Sequence, residues 1–172
     1  AGLNIVKIEV VDYHGGSLRV YAKKGEATIN NDLAQMMKTE KDMGVFDVKT
    51  YEEYMNCILK QRNQFMKNIC DIKLSGGAII AVGAAAKGNT FLNFYNLDHS
   101  FLDCVTDSSP FKQGKHTPLT RIPIYGDEIF KEYGEVCALI LSWNIANKLK
   151  QILIEINPKI KFINPQGEIG EF

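Results

Sequence analysis

The chain of 172 residues has no net charge, its twenty Lys and Arg being balanced by twenty Asp and Glu. No overall field draws it to nucleic acid or to a membrane surface, so an anion site must come from local placement of charge. Its four cysteines, Cys57, Cys70, Cys104 and Cys137, form no C-x-x-C pair, and no His is spaced to complete a zinc site. No metal site is expected. Cys104 and Cys137 fall in apolar runs, where a free thiol acts as a small hydrophobe. A reduced, cytoplasmic setting follows as the expectation. No apolar run approaches the roughly 20 residues of a membrane span, and the first residues lack the basic-then-apolar pattern of a secretory signal. Internal repeats and low-complexity segments are absent too.

What is present is a sequence that is 45% hydrophobic and long enough to bury a real core in one domain, with a small appendage at most. Residues 3–11 alternate apolar and polar side chains, as do Ser17 to Ala22, and Asp12 to Gly16 lie between them. Two strands are predicted there. Asn30 or Asn31 can cap a short helix holding the cluster Leu33 to Met37. Thr50 and Glu53 have capping-box spacing for a long helix ending near Lys73. Its stripe of Tyr51, Tyr54, Met55, Ile58, Leu59, Phe65, Met66 and Ile69 is expected to pack on the core.

From Gly76 onward apolar runs alternate with helical segments. Ala78–Val82, Phe101–Thr106, Glu135–Leu141 and Ile160–Ile163 read as buried strands, and Ile122–Ile124 as a short extended piece that Pro123 keeps from a central position. Short and long helices are expected over Gly126–Tyr133 and Ile145–Ile156. That alternation predicts an α/β, Rossmann-like, doubly wound domain whose mainly parallel sheet is flanked by helices, with N-terminal strands and a long helix leading in. Residues 1–45 hold the N-terminal strands and short helix, and 46–172 are taken as the Rossmann-like domain.

Ligands of such sheets bind outside the carboxyl ends of the strands. At the first, Gly83 to Gly88 form a glycine turn into a helix, where Lys87 and the N–H groups of Asn89 and Thr90 are placed to meet an anion. Ala85 stands where a G-x-G-x-x-G fingerprint needs glycine, and Lys87 precedes Gly88 rather than following it as in a Walker A loop. Neither nucleotide fingerprint is met. At the second, Asp107 is followed by Lys112, Lys115, His116 and Arg121, a local positive excess beside an acid suited to a sugar hydroxyl. A third candidate is His14-Gly15-Gly16-Ser17 with Arg19. No nucleophile-His-acid arrangement links His14, His99 and His116, so no catalytic residue is assigned.

Five blocks occur in series: His14 to Arg19, Gly83 to Thr90, Lys112 to Lys115, Ile122-Pro123-Ile124 and Trp143-Asn144. Their order and spacing resemble the C-terminal domain of the sugar-nucleotide C-methyltransferases, over about Gly2 to Pro165. The resemblance implies a three-domain enzyme that uses S-adenosylmethionine to methylate a carbon of a nucleotide-linked keto-deoxysugar. It implies an upstream zinc-binding domain and a central methyltransferase domain holding the catalytic Tyr, His and Glu. Residues 1–45 would be the end of that methyltransferase domain and a linker. This chain would then be a C-terminal fragment, inactive alone, binding no zinc, with S-adenosylmethionine held mainly elsewhere. Its partners would be the nucleotide-sugar and the upstream domain of the same chain, not nucleic acid or membrane. Substrate contacts are expected from His14, Ser17, Arg19, Lys87, Gly88, Asn89, Thr90, Asp107, Lys112, Lys115 and Arg121. Ala85 replaces the family's usual proline, and Arg121 a common histidine, which favours anion pairing over proton transfer there. A stand-alone nucleotide- or dinucleotide-binding module, or a structural or oligomerisation domain, is the alternative reading.

Overall fold

The apolar runs after Gly76 become the parallel sheet they predict. A computed structural model describes residues 2–13, 16–26, 28, 31–164 and 167–170. The chain divides into two compact units, Ala1–Cys57 and Ile58–Phe172.

In the first unit, β1 (Leu3–Val11) and β2 (Ser17–Lys24) pair antiparallel, with a bulge between Ile5 and Lys7. The register puts Lys7, Glu9, Arg19 and Tyr21 on one face, where Glu9 accepts from the Tyr21 hydroxyl at 2.8 Å and pairs with Lys7 and Arg19. Ile8, Val10, Leu18 and Val20 occupy the other. Next comes α1 (Asn31–Asp42), and no described residue from Gly2 to Cys57 is buried.

Helix α2 (Val48–Leu74) starts two residues ahead of Thr50. Asp47 Oδ1 accepts from the Lys49 N–H at 3.0 Å, so Asp47 rather than Thr50 caps it. The stripe along α2 also departs from expectation. Phe65 and Ile69 are fully buried, but Tyr51, Tyr54, Met55 and Leu59 stay about half exposed. The amphipathic spacing is real, yet only its second half meets a core.

In the second unit the sheet has the order β5-β4-β3-β6-β7, every pair parallel. Its strands are β3 (Ile79–Val82), β4 (Cys104–Thr106), β5 (Ile124–Tyr125), β6 (Val136–Ile140) and β7 (Ile160–Ile163). Pro123 precedes an edge strand, where its missing N–H costs no ladder bond. Alternation sorts the core into two layers. Ile79, Ala81, Val105 and Leu139 pack with Phe65 and Ile69 of α2 and Leu92 of α3 (Ala86–Tyr95). Ile80, Val82, Ala138 and Ile140 pack on the other face with Phe130, in a 3₁₀ turn over Asp127–Glu132, and Leu153 of α4 (Ala146–Ile156). Burial on both faces explains why β3 and β6, at the middle of the sheet, read as unbroken apolar runs. No helix among the described residues is long and apolar enough to cross a membrane.

Candidate functional site

Chain order reverses between β3 and β6: from β3 the sheet runs through β4 and β5 on one side and through β6 and β7 on the other. The crevice beyond the carboxyl ends at such a reversal is the ligand position of doubly wound sheets. A cavity of about 550 Å³ opens there, lined by Gly83 to Ala86, Asn89 and Thr90 from the β3–α3 turn, Phe111 to Pro118 in part, and Leu141 after β6.

The glycine turn is shaped by packing. Gly83 has φ +102°, and a Cβ on it would come within 2.2 Å of Ser142 Oγ. A Cβ on Gly88 would lie 2.8 Å from Leu141 Cβ and 3.0 Å from the Gly83 carbonyl. Both glycines let α3 close down on the strand ends. Ala85 sits at the N-cap without a side-chain hydrogen bond to the helix. The Asn89 N–H, expected to be free, donates to the Ala85 carbonyl at 2.9 Å, because α3 begins earlier than that expectation required. The N–H groups without an intrahelical partner are those of Ala86, Lys87 and Gly88. Asn89 Oδ1 is buried and lacks a partner among the described residues.

Asp107 follows β4 and fastens the opposite wall. Its carboxylate accepts from the Ala84 N–H at 2.9 Å, the Ser109 N–H at 2.9 Å and Lys112 Nζ at 2.8 Å, with the side chain only 11% exposed. Burial alone would raise its pKa. The Lys112 hydrogen bond and charge and the two N–H donors outweigh that and hold it below the ordinary value. The loop beyond is pinned along its length. Gln113 Nε2 donates to the Asp107 carbonyl, Gly114 N–H to Ile124, Ile124 N–H to Lys115, and Thr117 N–H to Ile122, all within 2.8–2.9 Å. Buried Thr117 accepts from the Ile122 N–H through Oγ1 at 2.9 Å.

A family profile described as "C-methyltransferase C-terminal domain" matches residues 12–165. The chain belongs to the C-methyltransferase C-terminal domain family. It is similar to the C-methyltransferase NovU of Streptomyces niveus, 29% identical over 150 residues, which are 86% of this chain and 36% of NovU. The chain thus spans about a third of the length of that curated relative.

In this C-methyltransferase domain, Asn89, Thr90, Lys112 and Lys115 share the cavity. Asp107 stands behind it with its oxygens engaged by the loop. Lys87 is exposed on α3 outside the cavity lining, and Gly88 is buried against Leu141. Arg121 lies at a neighbouring depression with Asn96, Asp98 and His99. Ser17, whose hydroxyl donates to the Tyr13 carbonyl at 2.9 Å, and Arg19, paired with Glu9, belong to the first unit. His14 lies outside the described residues. Phe111 and Pro118 line the cavity without having been singled out from sequence. An aromatic in a loop of Gly, Pro, Ser and Lys was the available signal.

Among the described residues no three His, Cys, Asp or Glu side chains gather as a metal site. Cys104 is buried, and burial pushes its thiol up to about 12, away from the thiolate a metal requires. The space immediately beside Gly83 and Gly88 is filled by Ser142 and Leu141.

Proposed function

We propose that this domain binds and orients the nucleotide-linked keto-deoxysugar of a C-methyltransferase whose catalytic machinery lies in the rest of the enzyme. Residues 1–45 would close the preceding methyltransferase domain and link it to residues 46–172. In the complete enzyme the expected chemistry is base-assisted removal of a proton alpha to a keto group, then methylation of that carbon with S-adenosylmethionine. This chain supplies binding for it, not a catalytic group. Zinc and S-adenosylmethionine belong to the remainder of the protein, where a cytoplasmic setting suits both.

The observation that carries the reading is one cavity at the sheet's reversal point that combines two lysines, an uncapped helix start and an apolar floor. Lys112 is aimed by Asp107, while Lys115 has no ion-pair partner among the described residues. An anion beside them gains a charge already held in place, and binding that requires little reordering is the source of positioning in catalysis. Asp107 then serves as a positioning residue rather than as the ribose acceptor, because its oxygens are engaged. Lys87 and Arg121 stand outside this cavity and would act on parts of the substrate that project beyond it.

Steady-state kinetics of the complete enzyme test this. Replacing Lys112 and Lys115 together by Ala should raise the KM for the nucleotide-sugar at least tenfold with kcat changed much less, as expected when ground-state binding is lost. An unchanged KM would overturn the anion site.

A further inference from the structure

Phe111 is 82% exposed and yet lines the cavity. Exposed apolar residues scattered over a surface need no explanation, but this one borders a cavity on a loop tied by backbone hydrogen bonds. Lys112 and Gln113 N–H groups donate back to the Ser109 carbonyl, and Ser109 itself donates to Asp107, so the turn carrying Phe111 is tied at both ends. The backbone that carries the ring is thereby fixed at the cavity's edge, with the ring itself left largely exposed. The other aromatic side chains near α3 are engaged with one another: Phe65 meets Phe91 edge-on at 5.4 Å, and Phe91 stacks on Tyr95 at 4.2 Å. Phe111 has no such ring partner among the described residues.

Ala84, Ala85, Pro118 and Leu141 give the same cavity part of its apolar lining. Lys112 follows Phe111 directly and Lys115 one turn later. A ligand that satisfies this arrangement has a flat ring at one end and an anion next to it. We infer that Phe111 is a stacking platform for the base of a nucleoside diphosphate, with the diphosphate at Lys112 and Lys115. The inference rests on the proposed anion site and adds the direction in which the ligand lies: base at the 108–121 loop, sugar-bearing end leading away from it. A single aromatic face also accepts any base, since every base has a π-face, so selectivity among bases is not expected from this residue.

The test is calorimetric titration of the 172-residue chain, and of the complete enzyme, with UDP, TDP and pyrophosphate. Phe111→Ala should weaken both nucleoside diphosphates by about ten- to a hundredfold, the loss typical of one stacked base, while leaving pyrophosphate affinity unchanged. Phe111→Trp should keep nucleoside diphosphate binding and add a fluorescence signal that the bound base quenches. Unchanged nucleoside diphosphate affinity in Phe111→Ala would overturn the stacking role while leaving the anion site standing. Equal loss of pyrophosphate and nucleoside diphosphate would also overturn it, by showing that Phe111 supports the loop. If the unaltered protein binds neither pyrophosphate nor nucleoside diphosphate, the anion site itself falls, and the platform with it.

Discussion

The first unit keeps every described residue at least partly exposed, whereas the second contains two fully buried layers on either face of its sheet. Both units use the same elementary devices. Each has amphipathic segments, and each has an acidic side chain that collects a lysine and further donors. What differs is whether those devices sit on a core. A two-stranded hairpin is marginal in water without a third element over its apolar face, and Val10 and Val20 on that face are 76% and 48% exposed. The second unit can hold a loop rigid because the strands beneath it cannot move. The candidate site is accordingly in the second unit, and the comparison can be tested by making equivalent changes in both.

The largest contrast should come from deleting apolar side chains. Phe65 is fully buried among Phe91, Tyr95 and the sheet. Phe65→Ala removes that volume and leaves a cavity, at a cost of about 3–5 kcal/mol. Val10→Ala should stay within about 0.5 kcal/mol, since nothing is uncovered that water does not already reach. Urea unfolding of both variants measures the pair. A cost for Val10→Ala approaching that of Phe65→Ala would break the comparison, because it would require the hairpin to be packed.

The same contrast marks how far the sequence could be read. Strands buried on both faces announce themselves as short apolar runs, so Ile79–Val82 and Val136–Ile140 were legible nearly to the residue, and the edge strand Ile160–Ile163 was legible from its flanking apolar residues despite exposed Lys161. Periodicity along α2 was legible too, but spacing says which residues share a face and not what covers it. Tyr51, Tyr54 and Met55 have the pattern of core residues without the burial. The start of α2 was misplaced because two capping signals compete within four residues, and the geometry of Asp47 prevails over that of Thr50. At the site, Asp107 was recognisable as an acid at a strand end. That its oxygens are taken by Ala84, Ser109 and Lys112 depends on the loop closing back, which no local pattern encodes.

Charge gives the second contrast. Glu9 and Asp107 each collect a lysine, and each carboxyl is held below its ordinary pKa. For Glu9 the Lys7 and Tyr21 hydrogen bonds do this at a solvated surface, where ion pairs add little. For Asp107 the donors act on a side chain that is 11% exposed. A depressed carboxyl stabilises the fold fully above its unfolded pKa, near 3.8, and loses that contribution as pH falls through its lower folded value. Asp107→Asn puts an amide donor against the Ser109 or Ala84 N–H and should cost about 1.5–3 kcal/mol at pH 7. The difference from the unaltered chain should begin to shrink as pH falls below about 3.8, where Asp107 of the unfolded chain takes up its proton, and close only once the folded carboxyl is protonated at lower pH. Glu9→Gln should shift neither the stability at pH 7 nor the acid limb detectably. Urea midpoints measured at pH 7 and pH 3 separate the two.

Backbone strain supplies the smallest effect. Every described residue of the first unit with positive φ is a glycine, namely Gly2, Gly16, Gly25 and Gly44. The second unit holds three others there: Asn96 at 53°, Leu119 at 66° and Arg121 at 52°. A left-handed conformation costs an ordinary L-residue about 1–2 kcal/mol, and Asn is the type that tolerates it best. Leu119 is not, and its side chain is 84% exposed, so burial does not compensate it. Its conformation is imposed by the turn around it, in which Thr120 N–H donates to Pro118 and Arg121 N–H to Thr117, the Thr117 and Thr120 hydroxyls lying 2.7 Å apart. Leu119→Gly relieves the strain but gives the unfolded chain more freedom, a loss of about 0.5–1 kcal/mol. The net gain should be about 0.5 kcal/mol, a rise in Tm of about 1–2 °C by calorimetry. A fall in Tm would mean that Leu119 is held by a favourable contact, and that the rigid frame under the loop is not by itself what fixes the turn.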